Sequence, residues 1–323
     1  MPCSPAGGCD RTSEQRMGTG LHRIEESADA MGSTFSIVLY GDNRASMEEA
    51  VKAAFDEVGR LEGLLSSYRP ASEWSEVNRH AAHQAVKVSP ELFRLLACCL
   101  EYSRQSEGTF DISVGPLLKA WGLVRGTGSL PQQAELAAVL PKIGYRHVHL
   151  DPGARTVQFD SPGVEIASGG IGKGYAVDRA VDVLKERDFD TALVAGAGSS
   201  IYGLGAPPAE PRGWRIDIPD PGNPRQSAAE VFLKNMSVST SGTCVRSFWA
   251  GERIYSHIMD PRNGYPAQGV ALVSVIAPRT LDSEAWTKPC FILGREWAAR
   301  NKPRGFRVFI CEDRVGGECG WLK

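Results

Sequence analysis

No run of this chain is apolar for the roughly 20 residues a bilayer-crossing helix needs, so no helical membrane span is expected. An excess of charge of one sign is also missing. Lys and Arg total 36 against 38 Asp and Glu, a net charge of −2, which leaves no basic footprint for nucleic acid. The eight cysteines (Cys3, Cys9, Cys98, Cys99, Cys244, Cys290, Cys311 and Cys319) form no Cys-x-x-Cys pair. That argues against a zinc ribbon or a thioredoxin motif. Cys98 and Cys99 stand together in a helical pattern and read as buried thiols. No Gly-x-Ser-x-Gly elbow occurs, which argues against an α/β-hydrolase. Residues 1–20 lack the apolar core of a signal peptide as written. Ala6-Gly-Gly-Cys9 has the small residues of a lipoprotein cleavage box but no hydrophobic stretch before it. The segment 1–20 therefore reads as a disordered Gly/Ser/Pro leader.

Other tempting motifs are incomplete. Gly196-Ala-Gly198-Ser-Ser-Ile201 begins like a dinucleotide fingerprint, but Ile201 stands where the third glycine belongs. Gly172-Lys173 has the look of a P-loop, but Gly174 replaces Ser or Thr and Ala167 replaces the first glycine. His80-x-x-His83 lacks a third ligand and reads as a solvated loop. His147 and His149 share one strand face and read as structural.

What is present is a chain of 323 residues, 42% hydrophobic and 23% charged, the profile of a soluble globular protein. Phe35 to Leu39 alternates like a strand. Ser46-Met-Glu-Glu49 has the form of a capping box. It precedes Val51, Ala54, Phe55, Val58, Leu61 and Leu65 at helical spacing. A second helix is expected from Ser89-Pro90, with apolar Leu92, Leu95, Leu96 and Cys99. Residues 124–130 read as a polar loop, and a short helix follows Pro131. His147–Leu150 and Thr156–Phe159 predict a hairpin about Asp151-Pro-Gly153. Then come a helix from Tyr175 to Arg187, a strand over 192–195 and a loop over 196–205. Strands are expected at 214–218, 271–276 and 306–311, with a helix over 283–301. Helices and strands mix without a βαβ rhythm, so the class is α+β, as one domain over 21–323. No internal repeat is found.

The stretch Tyr255-Ser-His-Ile-Met-Asp-Pro-Arg-Asn-Gly-Tyr-Pro266 gathers a histidine, an aspartate and an arginine around a Pro261-x-x-Gly264 turn, just after a strand at Arg253–Tyr255. Loops on a rigid scaffold are common seats of ligand chemistry. Read alone, His257-x-x-Asp260-Pro is equally a plain Asx turn. It is accompanied by Met31-Gly-Ser-Thr-Phe35, Ser67 to Glu73 running on to Asn78, and Gly108-Thr-Phe-Asp-Ile-Ser-Val-Gly-Pro116 with Trp121-Gly122. Gly169-Gly-Ile-Gly-Lys-Gly-Tyr-Ala-Val-Asp178 and Thr240-Ser-Gly242 complete the set. In this order and spacing, from about Met31 to Gly294, the chain resembles the FAD:protein FMN transferase family, the ApbE-like thiamine biosynthesis lipoproteins.

The resemblance implies a T-fold-like core of mixed sheet and helices with a cleft for FAD. It implies that a Thr or Ser hydroxyl of an acceptor redox protein attacks the FAD pyrophosphate, keeps FMN and releases AMP. By resemblance, Met31, Tyr68, Thr109, Phe110, Asp111, Gly170, Lys173, Ser241 and His257 contact the cofactor. His257 is the candidate base, an imidazole being a suitable proton acceptor near neutral pH. Asp260 either orients it or caps its own turn. Lys173 in a glycine-rich turn at a helix start suits a phosphate. The family compartment is periplasmic or lipid-anchored, although no signal peptide is read in this chain.

The chain departs from the family pattern at the magnesium motif Ala-Asp-x-x-x-Thr. It reads Ser283-Glu284-Ala-Trp-Thr287-Lys288, so Glu284 replaces the aspartate and Lys288 the threonine, with Thr287 one residue earlier. Gly172, Glu284 and Thr287 remain candidate ligands for Mg²⁺, which demands hard oxygens. Glu284 and Lys288 are also spaced as an ordinary helical ion pair. The sharper reading places the Lys288 ammonium at the metal position. Ala167 stands where the family usually has an aspartate, and Gly198-Ser199-Ser200 where it usually has Gly-Gly-Glu/Asp, so two further acidic groups are missing. The rival functions are a non-catalytic FAD-binding protein and an FAD pyrophosphatase releasing FMN and AMP.

Overall fold

The computed structural model describes residues 20–124, 128–243, 247–250, 253–313 and 317–323. The expected leader up to residue 19, with Cys3 and Cys9, lies outside them, as does Cys244. An eight-stranded sheet runs β1 (His22–Ala30), β2 (Ser33–Gly41), β3 (Ala192–Gly196), β4 (Ser200–Leu204), β5 (Met236–Gly242), β6 (Val270–Ala277), β7 (Arg307–Glu312) and β8 (Cys319–Trp321). The spatial order of these strands is their chain order, and each junction is antiparallel. The ladder is therefore a meander whose connections carry everything else, and the α+β class is borne out. Cys311 and Cys319 face each other across β7 and β8 and form a disulfide.

Between β2 and β3 come α1 (Arg44–Leu65), α2 (Glu73–His80), α3 (Pro90–Gln105), α4 (Gly115–Ala120), α5 (Gln133–Val139) and α6 (Gly172–Lys185). The loop from β6 to β7 holds α7 (Thr280–Asn301). Strand alternation divides the core. On β2, Phe35, Ile37 and Leu39 pack against α1 and α6. Val38, between them, joins the hairpin of Trp214–Pro219 and Ser227–Leu233 on the opposite face. A further cluster joins α2, α3 and α7 to Val273, Val275, Val308 and Ile310. None of the described helices is long and apolar enough to cross a membrane.

The Ser89-Pro90 start of α3 is borne out: Ser89 Oγ accepts from the Leu92 amide and proline occupies the first turn. The capping box at Ser46 is not. α1 begins three residues earlier, at Arg44, and Asn43 is its cap, accepting from the Ser46 amide at 3.0 Å. The supposed loop 196–205 contains β4. Its glycine reflects close approach: a Cβ on Gly203 would lie 2.8 Å from the Leu233 carbonyl oxygen. His80 closes α2 and so is not in a loop, though it is only partly buried, beside Glu76. His147 lies in a short 3₁₀ turn, and only His149 is on the strand; both reach the Asp160 carboxylate. Cys99 is buried but Cys98 only partly so.

Candidate functional site

The start of α6 is held by loops remote in sequence. Asn78 accepts from the Ile166 amide at 2.8 Å and donates to the Ile166 carbonyl at 2.9 Å. Trp74 Nε1 donates to the same carbonyl at 3.0 Å. The Ala167 amide donates to the Ile112 carbonyl, and Ser168 Oγ to the Leu65 carbonyl. Gly115 must be glycine here, because a Cβ would meet the Glu165 carbonyl oxygen at 2.8 Å. The segments 66–78, 109–116 and 164–171 thus form one rigid frame.

Within that frame, Thr109 and Asp111 are committed inward. Thr109 Oγ1 donates to the Ser106 carbonyl at 2.7 Å. The Asp111 carboxylate accepts from the amides of Ser113 and Tyr145 at 2.7 and 2.6 Å. Burial pushes its pKa up, against those hydrogen bonds. The Asp111 carboxylate therefore shapes the loop that carries the expected cofactor contacts. Phe110 is buried, with its ring edge 3.9 Å from a Cβ placed on Gly170.

The first turns of α7 supply the charge. Glu284, 4% exposed, accepts from the Gly174 amide through Oε2 at 2.6 Å, a carboxylate at the positive N-terminus of α6. Its Oε1 lies 3.5 Å from Lys173 Nζ. Lys288 does not make the expected side-chain pair with Glu284; its ammonium donates to the Glu284 main-chain carbonyl at 2.8 Å. Lys288 is partly buried as a residue, and burial of its head group lowers its pKa to about 8. The Glu284 carboxylate opposes that shift and Lys173 adds to it. Thr287 turns the other way: its hydroxyl accepts from Ser241 Oγ at 2.8 Å and donates to the Glu284 carbonyl at 2.7 Å. Lys288 Cε is 3.6 Å from a Cβ placed on Gly170, so Lys288, not Thr287, faces the glycine turn.

Phe110, Gly170, Gly172, Lys173, Ser241, Glu284, Thr287 and Lys288 are thus brought together around the meeting of α6, α7 and β5. Met31 and Tyr68 sit on separate loops, and His257 just precedes the short strand Met259–Asp260 that pairs with Tyr265–Pro266. Met31 forms the two-residue turn between β1 and β2 with φ 53°, followed by Gly32 at 69°, the mirror-image turn that suits sheet twist. A methionine is costly there. Its side chain packs against both the α1–α6 and the α3–α7 clusters. Tyr68 is 55% exposed, and its hydroxyl donates to the Val124 carbonyl. His257 is partly buried. Asp260 caps its turn: its carboxylate accepts from the Arg262 amide at 3.0 Å and pairs with that guanidinium at 2.9 and 2.8 Å. Trp121 Nε1 ties the turn to the end of α4 through the Gly264 carbonyl.

Sequence reasoning missed a hydroxyl seam. Ser237, Ser239 and Ser241 alternate along β5 and meet Ser283 and Thr287, one turn apart on α7. The signal was the alternation in Ser237-Val-Ser-Thr-Ser241. It also missed Asp178, whose carboxylate accepts from the amides of Thr280 and Leu281 at 2.6 and 2.9 Å. A cavity of about 450 Å³ lies elsewhere, beside Arg60, Glu91, Arg94, Tyr175, Arg179 and Arg279. None of the expected site residues lines it, and carboxylates pair with Arg60, Arg179 and Arg279.

Residues 31–309 match the model of the ApbE family. A Klebsiella pneumoniae protein named FAD:protein FMN transferase is 32% identical over 293 residues, 89% of each chain. One of the same name from Treponema pallidum is 31% identical over 91% of this chain and 87% of its own. Two solved structures are also similar. The ApbE protein of Thermotoga maritima has a TM-score of 0.83 at 28% identity, over 92% of this chain and 96% of its own. The apo flavinyl transferase ApbE of Pseudomonas stutzeri has a TM-score of 0.82 at 27% identity, over 97% and 96%.

Proposed function

This chain belongs to the ApbE family, and on that premise we propose that it transfers FMN from FAD to a Thr or Ser hydroxyl of an acceptor redox protein. The acceptor oxygen bonds to the FMN phosphorus, the bond to the bridging pyrophosphate oxygen breaks, and AMP leaves. His257 takes the hydroxyl proton. The observation that carries the reading is the positive corner made by the α6 N-terminus, Lys173 and Lys288 beside Phe110 and Gly170. Ammonium groups at the positive end of a helix dipole are suited to a pyrophosphate. Met31 and Tyr68 border the flavin in this reading, the 109–111 loop offers its backbone and Phe110, and Ser241 supports Thr287. Asp260 serves by fixing the turn that carries His257. The family name shared by the curated relatives favours transfer over storage or hydrolysis of FAD.

The residues at the expected magnesium position do not fit the ion. One carboxylate, Glu284, is shared between the Gly174 amide and Lys173, and the Thr287 hydroxyl is already bonded at both ends. An ammonium stands beside them, which repels a dication and offers no lone pair. No step is therefore routed through magnesium.

The test is intact-mass analysis of an acceptor domain bearing a Ser/Thr flavinylation site after incubation with the protein and FAD. A gain of one FMN with release of AMP is expected. Release of FMN and AMP without a mass gain would mean hydrolysis, and tight, uncleaved FAD would mean a binding protein.

A further inference from the structure

We propose that the Lys288 ammonium is a built-in replacement for the metal ion, so that FAD binding and FMN transfer by this chain need no magnesium. The inference rests on the flavin reading above. Its geometric basis is the direction of two neighbours on α7. Thr287 points to β5 and is closed off by Ser241, whereas Lys288 points to Gly170 and Phe110, on the side where α6 begins. The ammonium is fixed there by the Glu284 carbonyl. That leaves two of its three protons to donate, and a pyrophosphate oxygen is a suitable acceptor.

The surroundings are adapted to a monocation. Glu284 balances one of the two lysines while holding the Gly174 amide. A dication added to this group would meet Lys173 and Lys288 with a single carboxylate to offset them. Removing Lys288 reverses the situation. A threonine at position 288 would supply a hydroxyl one turn from the Glu284 carboxylate, an arrangement of hard oxygens open to a metal.

The experiment compares the wild type, K288T and K288M, each checked for cooperative thermal unfolding. FAD affinity is measured by flavin fluorescence in EDTA and in Mg²⁺, metal binding by Mn²⁺ electron paramagnetic resonance, and transfer by acceptor mass. Wild type should change its FAD dissociation constant by less than about twofold between EDTA and Mg²⁺, and should hold no tight Mn²⁺. K288M should lose about tenfold or more in affinity under both conditions. K288T should lose as much in EDTA and recover with Mg²⁺, gaining a Mn²⁺ signal. Wild type that binds Mn²⁺ tightly, or whose FAD affinity and transfer collapse in EDTA, overturns the replacement while leaving the transferase reading intact. Failure to bind FAD in either condition overturns the flavin reading, and this inference with it.

Discussion

Asp178 on α6 and Glu284 on α7 each cap the other's helix. Asp178 accepts from the first amides of α7, at Thr280 and Leu281, and Glu284 accepts from the Gly174 amide in the first turn of α6. Each carboxylate also sits at the positive end of the opposing dipole. The exchange locks the two helix starts in one geometry, and that geometry sets Lys173 against Glu284 and Lys288 against Gly170. The charge arrangement of the site therefore follows from a structural clasp.

The clasp makes stability depend on pH. Burial raises the Asp178 pKa to about 6 from 3.8, against the pull of the Leu281 and Thr280 amides. A carboxyl raised on folding binds more protons in the native state than in the unfolded one. Its contribution is full below about pH 4 and is lost as pH rises through about 6. Two units correspond to about 3 kcal/mol at most. Urea unfolding between pH 4 and 6.5 should show D178N with a shallower downward slope than the wild type. Equal slopes would assign the dependence to other groups.

Gly174 is set by the same clasp. A Cβ there would lie 2.6 Å from the Thr280 carbonyl oxygen and 2.8 Å from Glu284 Oε2. G174A is expected to destabilise by about 1–3 kcal/mol, the usual cost of overpacking, and to weaken FAD binding by shifting Glu284. G169A is the control, since its added Cβ meets nothing within 4 Å. Thermal melts of both variants decide the matter: equal melting temperatures would mean that α6 and α7 are not in this contact.

The hydroxyl seam gives a third expectation. Ser283 Oγ is bonded to Ser237 and Ser239 at 3.0 and 2.8 Å and to the Thr280 carbonyl at 3.1 Å; of the two strand serines, Ser237 has a further acceptor in the Ala277 carbonyl. S283A therefore leaves the buried Ser239 hydroxyl without this partner, at a cost of about 1–3 kcal/mol. Adding S239A should recover part of the loss. Additive losses in the double mutant, measured by denaturant unfolding, would show that the two hydroxyls are not coupled.

What was legible in the sequence was chemistry local to a few residues. Ser89-Pro90 starts a helix because cap and proline act within one turn, and the hairpin at 148–159 follows from alternation about Asp151-Pro-Gly153. Asn43 was overlooked because Ser46 offered a rival cap three residues later. β4 was hidden because Gly203 serves a neighbour thirty residues away, the Leu233 backbone. At the site, the motifs named Lys173, Glu284 and Lys288, but their partners were beyond reach. Whether Lys288 meets a carboxylate or a carbonyl, and whether it or Thr287 faces Gly170, depends on how α7 lies against α6 and β5. Asp111 is a motif carboxylate whose loop-holding contacts to the Ser113 and Tyr145 amides were equally beyond reach.

His257 and Asp260 can be separated by what each substitution leaves standing. The Asp260 carboxylate is occupied by the amide and guanidinium of Arg262, so D260N should loosen the 260–264 turn and act on His257 only through its position. H257N substitutes the proposed proton acceptor itself and leaves the Asp260–Arg262 contacts untouched. Loss of a general base typically costs 10²–10⁴-fold in rate, so H257N is expected to slow FMN transfer by about that much while FAD affinity stays within a few-fold. D260N should reduce transfer by about tenfold and, unlike H257N, lower the melting temperature. Rates come from acceptor mass against time, with affinity from flavin fluorescence. If H257N lost FAD affinity in proportion to rate, the imidazole would be a cofactor contact, and the base would have to be sought on another loop.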